Sequence, residues 1–171
     1  CYYVFSYAKL LSEGKIALGE KINIVVPTGN FGNILAAYIG SKMGLPVNKF
    51  ICASNENKVL YDFFKTGTYD KNRDFALTNS PSMDILISSN LERLIYMLAG
   101  DDDEKNKEFM HELVTEGRYE ITDSMKEGLK NFYGGFATQE ETLEQIGKLY
   151  KDTGYVMDTH TAVASRVYDE Y

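Results

Sequence analysis

A short β-branched stretch, Ile22-Asn23-Ile24-Val25-Val26, runs into the turn Pro27-Thr28-Gly29-Asn30-Phe31-Gly32-Asn33. That turn opens a segment from Asn33 to Met43 whose apolar residues, Ile34, Leu35, Tyr38 and Ile39, recur at helical spacing. A short run of Ile and Val bounded by turn residues marks a buried parallel strand. Gly44 and then Pro46 supply the helix stop. Lys49 to Ser54 reads as the next strand and Lys58 to Lys65 as the next helix. This βαβα alternation requires crossover helices between parallel strands. The expected class is therefore α/β, in three layers, with a mostly parallel sheet flanked by helices.

The rest of the chain extends the pattern. Residues 1–13 read as a helix closed by Gly14, and Asn79-Ser80-Pro81 opens a loop. Asp84 to Gly100 is expected to be mainly helical, with Leu91, Leu94, Ile95 and Leu98 on one face. The acidic run Asp101 to Glu104 reads as a solvated helix start, not a metal site. Ser124 with Glu127 and Thr138 with Glu141 both have capping-box spacing. Phe132 to Phe136 is a candidate strand, Thr138 to Tyr150 a helix and Thr159 to Tyr171 the last helix. Three portions are expected: 1–100 as a core carrying the turn, 101–130 as a more polar helical periphery, and 131–171 as a return to the core. The chain opens at Cys1 and stops at Tyr171 inside helical patterns, whereas domain boundaries normally fall in polar linkers, so an internal segment of a longer protein is expected.

Charge and cysteine content narrow the partners. A net charge of −7 argues against a nucleic-acid surface, which needs clustered Lys and Arg. Cys1 and Cys52 are too few for a disulfide framework, so a reducing, cytoplasmic setting is expected. The apolar runs are too short for a membrane-spanning helix, and no signal-peptide pattern precedes them.

A phosphate held without a lysine needs several backbone N–H groups converging on one point. Glycines allow sharp turning and close approach, and a following helix adds free amides and the positive end of its dipole. Pro27 to Asn33 meets these needs in order. Gly29 and Gly32 bracket the turn, Thr28 offers a hydroxyl, Asn30 and Asn33 offer amides, and Asn33 can act as N-cap. A side chain at Gly32 is expected to block the cradle. A plain strand-to-helix turn would use similar residues. A dinucleotide fingerprint requires GxGxxG and an acidic residue ending the next strand, but here the spacing is GxxG and the strand leads into Ser54-Asn55-Glu56-Asn57.

With these residues in view, VPTGNFGNILAAYIGSKMGLPV resembles the phosphate-loop segment of threonine synthase, in the branch found in many bacteria and fungi. ASNENKVLYDFFKTGTY, LTNSPSMDILISSNLERLIYMLAG and MDTHTAVA agree with the same family in the same order, as does CYYVFSYAKL upstream. The resemblance implies a fold-type II pyridoxal-phosphate enzyme, with the architecture of the tryptophan synthase β subunit. It implies conversion of O-phospho-L-homoserine and water to L-threonine and phosphate. Thr28, Gly29, Asn30, Phe31, Gly32 and Asn33 are then expected to hold the phosphate of pyridoxal 5'-phosphate. Ser82, Ser88, Ser89, Asn90, Arg93 and His160 fall in segments near the substrate. For Arg93 a surface salt bridge, and for His160 ordering of a helix start, are the simpler roles. The family's cofactor-anchoring lysine lies upstream of the matched region, and none of the fourteen lysines here has its context. The segment alone is expected to be inactive, and its exposed edges are expected to self-associate. Another fold-type II lyase or dehydratase, or a non-catalytic phosphate-binding module, are the alternatives.

Overall fold

The computed structural model describes all residues from Cys1 to Tyr171. Three parallel strands, β1 (Ile22–Pro27), β2 (Val47–Ser54) and β5 (Phe132–Phe136), form the main sheet in the order β1-β2-β5. Their register places Val26 beside Cys52 and Cys52 beside Gly134. The expected α/β class with a parallel sheet is therefore present.

Residue alternation along the strands sends the two sheet faces into separate cores. Ile24, Val26, Phe50, Cys52 and Phe132 join one cluster with α2 (Gly32–Lys42) and α3 (Val59–Thr66). Ile51 and Ala53 join the other with Val163, Ala164 and Val167 of α8 (Thr159–Glu170). Helix, sheet and helix thus stack as three layers. Outside α8 lies α7 (Gln139–Thr153), tied to it by Gln145 Nε2, which donates to Ser165 Oγ at 2.9 Å, and by the Lys148–Asp169 pair at 2.7 Å. The capping box expected at Thr138 and Glu141 is formed.

The sequence expectation and the fold part company in four places. Asp84 to Gly100 is not mainly helical: only α4 (Leu91–Leu98) is, after a 3-10 turn at Pro81–Met83. Asp84 accepts from the Thr78 N–H, and Ser88 and Asn90 donate to the distant carbonyls of Gly29 and Asn30, so tertiary contacts hold this stretch in an irregular path. The helix α6 (Asp123–Gly128) is capped by Thr122, which accepts from Met125 N–H, with Ser124 inside it. Asn33 is not the cap of α2; Phe31 is, and Asn33 Oδ1 accepts from Tyr3 Oη at 2.8 Å instead. Finally, β3 (Thr68–Asp70) and β4 (Arg118–Glu120) pair antiparallel. Three residues are too few for a visible period-two pattern.

The segment between β3 and β4 also carries α5 (Asp103–Thr115), which starts at the acidic run with Asp102 as N-cap. No helix of the chain is long and apolar enough to cross a membrane.

At Gly135 the sheet meets α8 closely: a Cβ there would clash with Val167 Cγ1. Gly135→Ala is therefore expected to lower unfolding stability by about 1–3 kcal/mol, the usual cost of overpacking. Urea unfolding measures it, and an unchanged midpoint would mean that α8 does not pack on β5 as described.

Candidate functional site

The C-terminal ends of the parallel strands form one rim, where ligands of open α/β sheets normally bind. At that rim Thr28 continues β1: its N–H donates to Ala53 O at 2.8 Å and its hydroxyl to Val26 O at 2.7 Å. From the next residue on, pairing stops. The amides of Gly29, Asn30 and Phe31 donate to no acceptor within the chain. Gly32, Asn33 and Ile34 begin α2, so their amides are the free donors of a helix N-terminus. Every N–H from Gly29 to Ile34 is thus available, next to the positive end of the α2 dipole. Such an array suits an anion with several acceptor oxygens.

The turn depends on Phe31, which is left-handed at φ 64°. For an ordinary L-residue that conformation costs roughly 1–2 kcal/mol. Its ring is only 1% exposed and lies 6.0 Å from Phe64 and 6.2 Å from Phe132, which themselves stack at 5.1 Å. Burying a phenylalanine ring contributes about 1.5–3 kcal/mol, enough to outweigh the backbone strain. The core therefore holds the cradle in a shape its own backbone disfavours, as is usual for strained functional turns.

A second wall approaches from residues 78–90. A Cβ at Gly29 would stand 2.6 Å from the carbonyl oxygen of Ser82, so Gly29 is the position that excludes a side chain. At Gly32 the nearest atom to such a Cβ is Asn90 Nδ2, at 3.4 Å. Protein packing is thus tighter at Gly29 than at Gly32. The wall is anchored by Asp84. Its carboxylate accepts from Thr78 N–H at 2.9 Å, Thr78 Oγ1 at 2.7 Å, Asn55 Nδ2 at 2.7 Å and Asn57 Nδ2 at 3.0 Å. Asn55 and Asn57 directly follow β2, so this polar knot ties the wall to the sheet rim.

His160 ties it to α8. Its Nε2 accepts from Ser82 N–H at 3.2 Å while Nδ1 lies 3.2 Å from Asp158 Oδ1, which places the ring proton on Nδ1. Asp158 caps α8 by accepting from the amides of His160 and Thr161. The Thr161 hydroxyl, together with those amides, holds the Asp158 carboxyl below its usual range.

The other expected residues fall as follows. Ser88 Oγ donates to Gly29 O at 2.8 Å, and Asn90 Nδ2 to Asn30 O at 2.8 Å, so both side chains are committed to the cradle backbone. Ser82, Ser89 and Arg93 are exposed. The arginines that pair are Arg73 with Asp62 and Arg166 with Glu141 and Glu170. Asn30 and Asn33 have exposed side chains at the mouth of the turn.

Two residues that sequence reading missed stand on the same rim. Ser54, abreast of Thr28 and 2% exposed, has a hydroxyl with no partner. Asp84 was hidden because its partners lie up to twenty-nine residues away. Cys52, two residues before the rim, is not a nucleophile: burial pushes its thiol up to about 12, against a lowering hydrogen bond from Thr28. No group of three His, Cys, Asp or Glu side chains stands together to hold a metal.

Phe31→Ala keeps the left-handed strain and removes the ring that offsets it. It is expected to destabilise the chain by about 3–5 kcal/mol in denaturant unfolding. A loss within the range of an exposed site would contradict the anchoring described.

No family model matches the chain. Threonine synthase-like 1 of Homo sapiens is 44% identical to it over 170 residues, spanning 98% of this chain and 23% of that protein. Threonine synthase of Saccharomyces cerevisiae is 43% identical over 176 residues, spanning 95% of this chain and 34% of that protein. The crystal structure of PLP-bound threonine synthase from Brucella melitensis superposes with a TM-score of 0.91 at 36% identity, over 98% of this chain and 36% of that one. The chain thus spans about a quarter to a third of the length of the proteins it matches. In sequence and in fold, this chain is homologous along nearly its whole length to one segment of threonine synthase.

Proposed function

We propose that the chain is the phosphate-holding portion of a pyridoxal-phosphate enzyme acting as a carbon–oxygen lyase on a phosphate substrate, in the cytoplasm. The reaction we assign to the longer protein is O-phospho-L-homoserine plus water to L-threonine plus phosphate. The observation that carries this reading is the array of unpaired amides from Gly29 to Ile34 on a turn held by a buried, left-handed Phe31.

The residues present fit the phosphate end of pyridoxal 5'-phosphate. Its acceptor oxygens match the unpaired N–H donors of Gly29, Asn30, Phe31, Gly32 and Asn33, and its negative charge matches the α2 N-terminus. Thr28 supplies the rim from which the turn departs, its own hydroxyl being bonded to Val26 O. When bound, the cofactor supplies an electron sink for the substrate carbanion. The chain's own contribution is to bind and orient the phosphate end. Ser82, Ser89 and Arg93 are the exposed candidates for contact with O-phospho-L-homoserine, and His160 orders the Ser82 peptide beside them. Arg93 offers a planar fork suited to the substrate phosphate.

The test is product analysis. A protein that contains this segment together with an anchoring lysine should release L-threonine and phosphate from O-phospho-L-homoserine only when pyridoxal 5'-phosphate is supplied. The 171-residue chain alone should release neither. Cofactor binding with a different product would replace the lyase assignment, and threonine formed by the isolated chain would overturn the division of labour.

The outer edges of β1 and β5 have no strand partner in the sheet. Unpaired edges template association with other chains. We therefore propose that the isolated chain self-associates, with a sedimentation coefficient that rises with concentration. A single monomeric boundary at every concentration would contradict this.

A further inference from the structure

The segment between the 3-10 turn and α4 touches the cradle through its carbonyls, not its amides. Ser88, 5% exposed, donates its hydroxyl to Gly29 O at 2.8 Å. Asn90 donates twice to Asn30 O, from its backbone N–H at 3.1 Å and from Nδ2 at 2.8 Å. In a trans peptide the carbonyl and the following N–H point in opposite directions. Pinning Gly29 O toward residue 88 therefore aims the Asn30 N–H away from it. Pinning Asn30 O toward residue 90 does the same for the Phe31 N–H. Those two amides lie at the centre of the unpaired array.

Asn90 serves the cradle at the expense of its own helix. It is the N-cap of α4, where an asparagine side chain ordinarily accepts from its own helix, yet it makes no capping bond. Its amide is used on the cradle instead. Asn30 O, similarly, is the carbonyl that an extra turn at the start of α2 would employ, and it accepts from Asn90 alone.

Behind this clamp stands Tyr69 on β3, 1% exposed. Its hydroxyl donates to Leu86 O at 3.0 Å and accepts from Ser88 N–H at 2.8 Å. Burial pushes its pKa up to about 12, so the hydroxyl keeps the proton it donates across the physiological range. The two bonds fix the backbone on both sides of residue 87.

We propose that Ser88 and Asn90 are positioning residues that set the direction of the Asn30 and Phe31 amides by holding the carbonyls of the cradle, with Tyr69 as their support. They act on the anion through those peptides and need not touch it. The consequence for binding rests on the phosphate reading given above; the consequence for peptide direction does not.

The experiment measures both. Residual dipolar couplings report the Asn30 and Phe31 N–H directions in the longer protein that contains this segment, and a titration with inorganic phosphate reports the shift of the same amides. Ser88→Ala and Asn90→Ala should each reorient at least one of the two N–H vectors, relative to a melting temperature measured in parallel. They should weaken the phosphate response at least five-fold. Ser88→Thr, which keeps the hydroxyl, should restore both readouts. Unchanged vectors in Ser88→Ala and Asn90→Ala overturn the clamp, whatever phosphate does. Reoriented vectors in Ser88→Ala and Asn90→Ala, with no phosphate response at those amides in the parent, uphold the clamp and overturn the phosphate reading. Loss of vectors throughout α2 together with a collapsed melting temperature, unrescued by Ser88→Thr, assigns Ser88 to stability and overturns its positioning role.

Discussion

Burial of one phenylalanine ring holds the site in shape. Phe31 must be left-handed for the chain to leave β1, curl and enter α2 within a few residues, and nothing in its own backbone favours that. Phe64 comes from α3 and Phe132 from β5, so the ring is gripped by the crossover helix and by the sheet edge strand at once. The parallel topology is thereby coupled to the geometry of the turn. Without β5 beside β2, the pocket for the ring would lack one wall.

The other face of the cradle is built from polar contacts. Asp84 gathers donors from Thr78, Asn55 and Asn57, His160 receives the Ser82 amide, and Ser88 and Asn90 hold carbonyls of the turn. Buried or half-buried networks of this kind are costly when incomplete, because each unpaired member keeps its desolvation penalty. Completed, they specify one arrangement of an irregular loop. An apolar grip on one side and a polar grip on the other leave the amides between them as the free polar groups of the turn.

Much of this was legible from residue order alone. The β-branched run, the GxxG turn and the helix with its Gly44 stop are local signals, and each names its element through backbone preference or periodicity. The capping box at Thr138 is equally local, and the spacing of Thr138 and Glu141 specifies it. What escaped was set by distance. The Asn33 side chain looks like a cap but meets Tyr3, thirty residues away. Extending the helical spacing of Leu91, Leu94, Ile95 and Leu98 back to Asp84 predicts a longer helix, yet the polar side chains of Asp84, Ser88 and Asn90 find partners elsewhere in the fold. Tyr69 sits on a three-residue strand with no periodic signal. The backbone geometry specifies an anion with several acceptor oxygens, and the likeness to segments of threonine synthase is what points to a cofactor phosphate.

The proposed phosphate site is the amides of Gly29, Asn30, Phe31, Gly32 and Asn33. Scalar couplings transmitted across hydrogen bonds, from amide nitrogen to the phosphorus of bound pyridoxal 5'-phosphate, test it most directly. The account predicts couplings from Asn30, Phe31 and their neighbours in the turn, and from no lysine or arginine side chain. A bound cofactor whose phosphorus couples to groups elsewhere in the chain would contradict it.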